Sequence, residues 1–155
     1  RKDATHINGM TLGAFTGYFR ERQSLKNITH PYDDYKAHIV LGVIYDTVSD
    51  IDERKSYTLE QLGEIVSVIK NFQFFVQEKW QIAIDRPGSG NTKNIGSVSN
   101  IEDLVNGNGT FAELGEDIFN DYWMYYLTAD MAKKAELPKP YYSNLTEYKQ
   151  FRHMD

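Results

Sequence analysis

Three acidic residue–x–lysine triplets could do chemistry in this chain: Asp34-Tyr35-Lys36, Glu53-Arg54-Lys55 and Glu147-Tyr148-Lys149. On a β-strand such a triplet sets a carboxylate and an ammonium on one face, where they can flank a divalent metal and its attacking water. The first and third triplets fall in segments read as helix and the second in a polar loop. None has the strand geometry, so no catalytic or metal-ligating residue is assigned. The four histidines, His6, His30, His38 and His153, show no metal-ligand spacing. Cysteine is absent, which removes thiolate nucleophiles, thiolate zinc sites and disulfides together. No serine sits in a nucleophile elbow. Asn27-Ile28-Thr29 and Asn144-Leu145-Thr146 match the glycosylation sequon, but nothing indicates secretion.

The stretch RPGSGNTKNIGS, Arg86 to Ser97, is built for contact rather than packing. A Walker phosphate loop beginning at Gly88 needs a glycine where Lys93 stands, and the dinucleotide fingerprint fails at the same position. As a reader of bases the loop is better equipped. Asn91 can bond adenine at N6 and N7, and the Thr92 methyl can pack on thymine. Gly88 and Gly90 let bare backbone approach base edges, and Lys93 can supply charge to a phosphate. A polar hairpin tip has the same composition. The spacing does not separate the two readings.

These residues need elements to hold them. Thr11 to Phe19, TLGAFTGYF, reads as extended structure with a bend. Pro31 stands where a first helical residue belongs, and Asp33 and Asp34 suit the first turn. Ala37 to Tyr45 is nearly all apolar and fits buried helix or buried strand. The capping and the length favour a helix. Ser49 to Ser56 is a charged loop, and Thr58 with Gln61 forms a capping box for a helix to about Val68. Phe72–Val76 and Trp80–Asp85 read as two strands of a hairpin around QEK, with Trp80, Ile82 and Ile84 alternating onto one face. Ser99 and Glu102 cap a short helix ending near Gly107. From Glu116 to Leu127 apolar residues recur at helical spacing as a core stripe, and a last helix starts at Asn144.

The sum is a mixed α/β or α+β domain. At 155 residues, with 41% hydrophobic and 25% charged residues, it has the length and composition of one domain with a real core. No apolar run approaches the ~20 residues that span a bilayer, and no signal peptide opens the sequence. The lack of cysteine fits a cytosolic protein. A net charge of −5 argues against a general nucleic-acid binder, although a local basic loop can overcome it.

The loop and its surroundings resemble the C-terminal, DNA-recognition part of the EcoRV-type restriction endonucleases. DRPGSGNTKNIGS is similar to that family's recognition loop, whose Gly-Ser-Gly-Asn-Thr run enters the DNA major groove. FFVQEKWQIA precedes it in the same way, and TLGAFT, KNITHPYDDYKAHIVLGVIY, NDYW and NLTEY recur in matching order. The similarity runs from Thr11 to about Tyr148.

The resemblance implies a restriction endonuclease-like fold truncated on its N-terminal side, with residues 1–155 forming a single domain. It also implies a bacterial, cytoplasmic, Mg²⁺-dependent homodimer that cuts a short palindrome in double-stranded DNA, with GATATC the expected site. Gly88, Gly90, Asn91 and Thr92 fall on base-reading positions. Ser89, Lys93 and Asn94 fall on supporting or phosphate-facing ones, and Thr11, Thr16 and Lys26 in segments that contact the DNA backbone. There are departures: Gly17 replaces a phosphate-binding serine, and Lys93 a neutral threonine. The family's catalytic aspartate and later Asp-x-Lys are expected upstream of Arg1. Two other functions are carried alongside: a DNA-binding module without nuclease activity, and a tyrosine-rich carbohydrate- or peptide-binding domain.

Overall fold

The computed structural model describes residues 2–21, 34–49, 51–52, 54–88 and 93–154. Within them the strands are β1 (Thr11–Ala14), β2 (Ile39–Thr47), β3 (Ile69–Glu78), β4 (Ala83–Pro87) and β5 (Asn94–Ser97). The α-helices are α1 (Lys79–Ile82), α2 (Ile101–Asn106), α3 (Glu116–Tyr125), α4 (Ala129–Lys134) and α5 (Leu145–Phe151). A π-helical segment, Thr16–Glu21, and a 3₁₀ helix, Leu59–Glu64, complete the set. This is a mixed α/β fold built on antiparallel sheets, as expected. None of the described helices is long and apolar enough to cross a membrane.

β5 is the middle strand of a three-stranded sheet ordered β1-β5-β4, antiparallel to both neighbours. Four residues containing a glycine gave no strand signal in the sequence. Gly96 is needed there, because a Cβ would lie 2.8 Å from the Arg86 carbonyl oxygen. β1 bends at Gly13, whose φ of 95° favours glycine, and passes through Phe15 into the π-helical segment. The bend after a strand was expected, the π-helical turn was not.

Two expectations fail in the second sheet. The predicted helix from Pro31 through the apolar run does not form over its described part; Ile39–Thr47 is strand β2, paired antiparallel with β3. Both faces of β2 are apolar, so the period-2 alternation that marks a strand is hidden. Gly42 sits opposite Phe75, and a Cβ there would lie 1.9 Å from the Phe75 ring, so the glycine opens the space that the ring fills. The predicted hairpin between Phe72–Val76 and Trp80–Asp85 is also absent. Glu78 and Gln81 close a capping box, Lys79–Ile82 makes one helical turn, and the chain crosses from β3 into the other sheet at β4.

Helix ends were better expected. Thr58 and Gln61 form their capping box, although on a short 3₁₀ helix that gives way to β3 at Ile69. Asn144 caps α5 by accepting from the Glu147 N–H at 2.9 Å. The cap of α2 is Asn100 rather than Ser99, and Gly107 ends that helix in the left-handed region. α4 had no counterpart in the sequence reading. The core is aromatic: Phe15, Phe111, Phe119, Tyr122, Trp123, Tyr142 and Tyr148 are fully buried, with Phe15 and Trp123 ring centroids 5.1 Å apart. The expected stripe on α3 supplies Phe119, Tyr122 and Trp123.

Candidate nucleic-acid interface

The loop between β4 and β5 is a hairpin whose base is well held. The Gly88 N–H donates to the Asn94 carbonyl at 3.0 Å, and Pro87 lies opposite Ile95. The Phe15 N–H donates to the Lys93 carbonyl at 2.8 Å, tying the far side of the loop to the start of the π-helical segment. On β1, Thr11 pairs with Gly96 and Ala14 with Asn94. A Cβ at Gly88 would lie 2.8 Å from the Thr11 methyl and 3.3 Å from the Gly96 Cα, so the glycine eases the close approach of the neighbouring strands.

One end of the three-stranded sheet thus gathers several of the predicted contact residues. Gly88, Lys93, Asn94 and Thr11 lie together on it, with Lys93 and Thr11 exposed. Thr16 follows directly but is buried, as is Gly17. Ser89, Gly90, Asn91, Thr92 and Lys26 lie outside the described residues.

Side chains that carried no motif anchor this end to the helices. Asp85, three residues before Gly88, accepts from the Leu145 N–H of α5 on its carboxylate at 2.9 Å. Its backbone carbonyl accepts from the Tyr122 hydroxyl of α3 at 2.5 Å. Tyr142 in turn donates to the Tyr122 carbonyl at 2.6 Å. Burial pushes the Tyr122 and Tyr142 hydroxyls well above the ordinary tyrosine range, so both stay protonated donors. Arg20 of the π-helical segment donates from Nε to the Met124 carbonyl at 2.7 Å and from a terminal nitrogen to the Tyr126 carbonyl. The end of α3 therefore braces the β4 hairpin and the π-helical segment at once. Only long-range contacts reveal this; Asp85 and Arg20 stand in no sequence pattern.

Beside Thr11 and Asn94 opens a cleft of about 800 Å³, with Tyr35, His38 and Lys79 on its other wall. Lys79 is buried, and desolvation pulls its ammonium down to about 8. Its Nζ lies 3.4 Å from His38 Nδ1. Burial and that neighbouring charge pull the imidazole down to about 4, so His38 is neutral at physiological pH.

The two described triplets do not form a metal site. Asp34 lies in a 3₁₀ turn and Tyr35-Lys36 in irregular structure before β2, Glu147-Tyr148-Lys149 lies on α5, and Glu53 is outside the described residues. Among the described residues no three His, Asp or Glu side chains are grouped to hold a metal ion. The two described triplets thus supply no such group for a Mg²⁺ ion, and no hydrolytic step is assigned to them.

The fold is mixed α/β, with β4 and β5 paired antiparallel on either side of the sequence Gly-Ser-Gly-Asn-Thr. The family model for restriction endonuclease EcoRV matches residues 1–153, and the chain belongs to that family. The type II restriction enzyme EcoRV of Escherichia coli is 39% identical over 141 residues, a match covering 90% of this chain and 54% of that enzyme. The chain spans about half the length of the curated relative it matches.

Proposed function

We propose that this chain is the DNA-recognition part of a type II site-specific deoxyribonuclease, reading a short palindrome in duplex DNA, with GATATC its site. The observation that carries the reading is the β4–β5 pair braced by Asp85 and Tyr122, with the sequence Gly-Ser-Gly-Asn-Thr between its strands in a member of this family. In this reading Asn91 bonds adenine through one donor and one acceptor, and Thr92 packs on a thymine methyl. Gly88 and Gly90 admit the backbone to base edges, with Ser89 and Asn94 in support. Lys26 and Lys93 face phosphates, and Thr11 and Thr16 belong to the backbone-contacting segment.

Cleavage in the whole enzyme would use Mg²⁺ held by carboxylates other than those described. Two copies would meet a palindrome, since one loop reads one half-site. A bacterial cytoplasmic setting suits this role. Among the described tyrosines Tyr122, Tyr126, Tyr142 and Tyr148 are buried while Tyr35, Tyr45, Tyr125 and Tyr141 are exposed, so the tyrosines do not decide on carbohydrate or peptide binding, and family membership favours the nuclease reading.

Salt dependence tests the reading. Duplex binding by the 155-residue chain should weaken steeply with salt, and Lys26→Ala should lower the slope of log K against log salt by about one unit. Binding that is absent, or indifferent to salt, would contradict it.

A further inference from the structure

Residues 2–7 are pinned by backbone hydrogen bonds. The Lys2 N–H donates to the His6 carbonyl at 2.8 Å, closing a turn, and His6 pairs with Asn100 in an antiparallel bridge. The Ile7 N–H donates to the Ser99 carbonyl at 2.9 Å, and the Ile101 N–H to the Thr5 carbonyl at 2.8 Å. This lacing sets Lys2 beside the end of β4. There Lys2, Arg86, Pro87 and Gly88 line one cavity of about 310 Å³, with Asn8 and Ser99 adding polar groups to its wall. Such a volume lies at the small end of the ~300–1,000 Å³ typical of ligand sites. Both cations are exposed, and among the described residues neither side chain has an ion pair or a hydrogen bond. The carboxylates next to them in sequence are committed elsewhere. Asp3 accepts from the Thr5 and His6 N–H groups at 2.8 Å each, and Asp85 from the Leu145 N–H at 2.9 Å. A lone exposed lysine is an ordinary solvated charge. Two unneutralised cations converging on one concavity are different, because its low-dielectric walls focus their field, here in a chain of net charge −5.

We infer that the Lys2–Arg86 cavity seats a backbone phosphate of the duplex beside the β4–β5 hairpin. The inference rests on the proposed binding of DNA and adds to it a contact outside the loop, the β1 segment and Lys26. The position fits, because Gly88 both lines the cavity and closes the foot of the hairpin through its N–H bond to the Asn94 carbonyl. A guanidinium can offer paired N–H donors to two phosphate oxygens, and an ammonium beside it adds a point charge. Such a contact carries no base information. It fixes the register and orientation with which the hairpin meets the groove. Lys2 and Arg86 are thus positioning residues for the base contacts of Asn91 and Thr92.

The test locates the phosphate. Lys2→Gln, Arg86→Gln and the double variant are compared with wild type and with Lys70→Gln, an exposed lysine of β3 outside the cavity. Affinity is measured across a salt series for a GATATC duplex, and for duplexes in which one phosphate at a time is replaced by an uncharged methylphosphonate. Each single variant should lower the slope of log K against log salt by about one unit, and the double variant by about two. Lys70→Gln should leave the slope unchanged. Wild type should lose about tenfold in affinity at one particular methylphosphonate, and the double variant should be indifferent to that replacement. Preference among sequences should be kept by all the variants, since a phosphate contact weakens every duplex alike. Coupling at one phosphate in a wild type without sequence preference would support the inference and sink base reading. Variants that keep the wild-type slope, or methylphosphonates that cost wild type and the double variant equally at every position, would overturn the inference. Absence of duplex binding at low salt would overturn it together with the DNA reading.

Discussion

Asp85 ties the β4–β5 hairpin to α5, and its removal should be felt in stability. Asp85→Ala deletes the acceptor that the Leu145 N–H uses at 2.9 Å, at the first residue of a helix whose N-terminus favours negative charge. A hydrogen bond to a charged group is worth ~1.5–3 kcal/mol, and the interaction with the helix end adds a few tenths at this partly buried position. The expected loss is about 2 kcal/mol, which for a chain of this length lowers Tm by roughly 4–8 °C. Asp85→Asn keeps an oxygen acceptor and should lose about half as much. The backbone bond from Tyr122 survives both changes. Tyr122→Phe should therefore cost a separate ~1 kcal/mol by removing the donor to a part-buried carbonyl. Urea denaturation of the wild type, the three single variants and the Asp85→Ala/Tyr122→Phe double variant measures these terms and their coupling. An Asp85→Ala variant within ~0.5 kcal/mol of wild type would refute the brace, since that is the range of an ordinary surface change.

Gly96→Ala should destabilise by about 1–3 kcal/mol, because its Cβ would lie 2.8 Å from the Arg86 carbonyl oxygen and 2.9 Å from Ile84 Cδ1 in the middle strand; thermal melts check it. Lys79, at about 8 when folded against 10.5 ordinarily, is protonated in the unfolded chain alone between those values. Stability should rise as pH climbs through that window, and the burial cost, about 3 kcal/mol, should be fully present below it. His38, at about 4 against 6.5, acts one window lower, so stability should fall as pH drops from 6.5 towards 4. Urea midpoints across both windows should slope upward with pH, and Lys79→Met should flatten the upper one. We expect no nicking of supercoiled plasmid by these 155 residues with Mg²⁺ or Mn²⁺; nicking abolished by Glu53→Ala or Lys55→Ala would show that this triplet does chemistry.

What the sequence revealed followed from how local each signal was. Helix caps are local, so Thr58 with Gln61 and Asn144 with Glu147 were readable, and Ser99 missed the cap at Asn100 by one residue. β2 was read as helix because its outward residues Leu41, Val43 and Tyr45 are as apolar as its inward Ile44. A strand that is apolar on both faces loses its alternation. Trp80 alternates with Ile82 as a strand would, but Glu78 and Gln81 cap a helical turn there, and Trp80 Nε1 bonds back to Glu78 at 2.6 Å. For the site, the Gly-Ser-Gly-Asn-Thr run stood out in the sequence. Its support by Asp85, Tyr122 and Arg20 spans 37 to 106 positions and leaves no local trace.

Competition binding addresses the central claim, that the hairpin reads bases, most directly. The chain is titrated against a GATATC duplex and against duplexes carrying one altered base pair, with wild type and Asn91→Ala side by side at fixed salt. Wild type should prefer the GATATC duplex by about 1–3 kcal/mol per altered pair. Asn91→Ala should lose about 1–3 kcal/mol of that discrimination while its affinity for the altered duplexes stays nearly constant. If Asn91→Ala weakens all duplexes equally, or wild type shows no preference among them, the loop is a polar hairpin tip and does not read sequence.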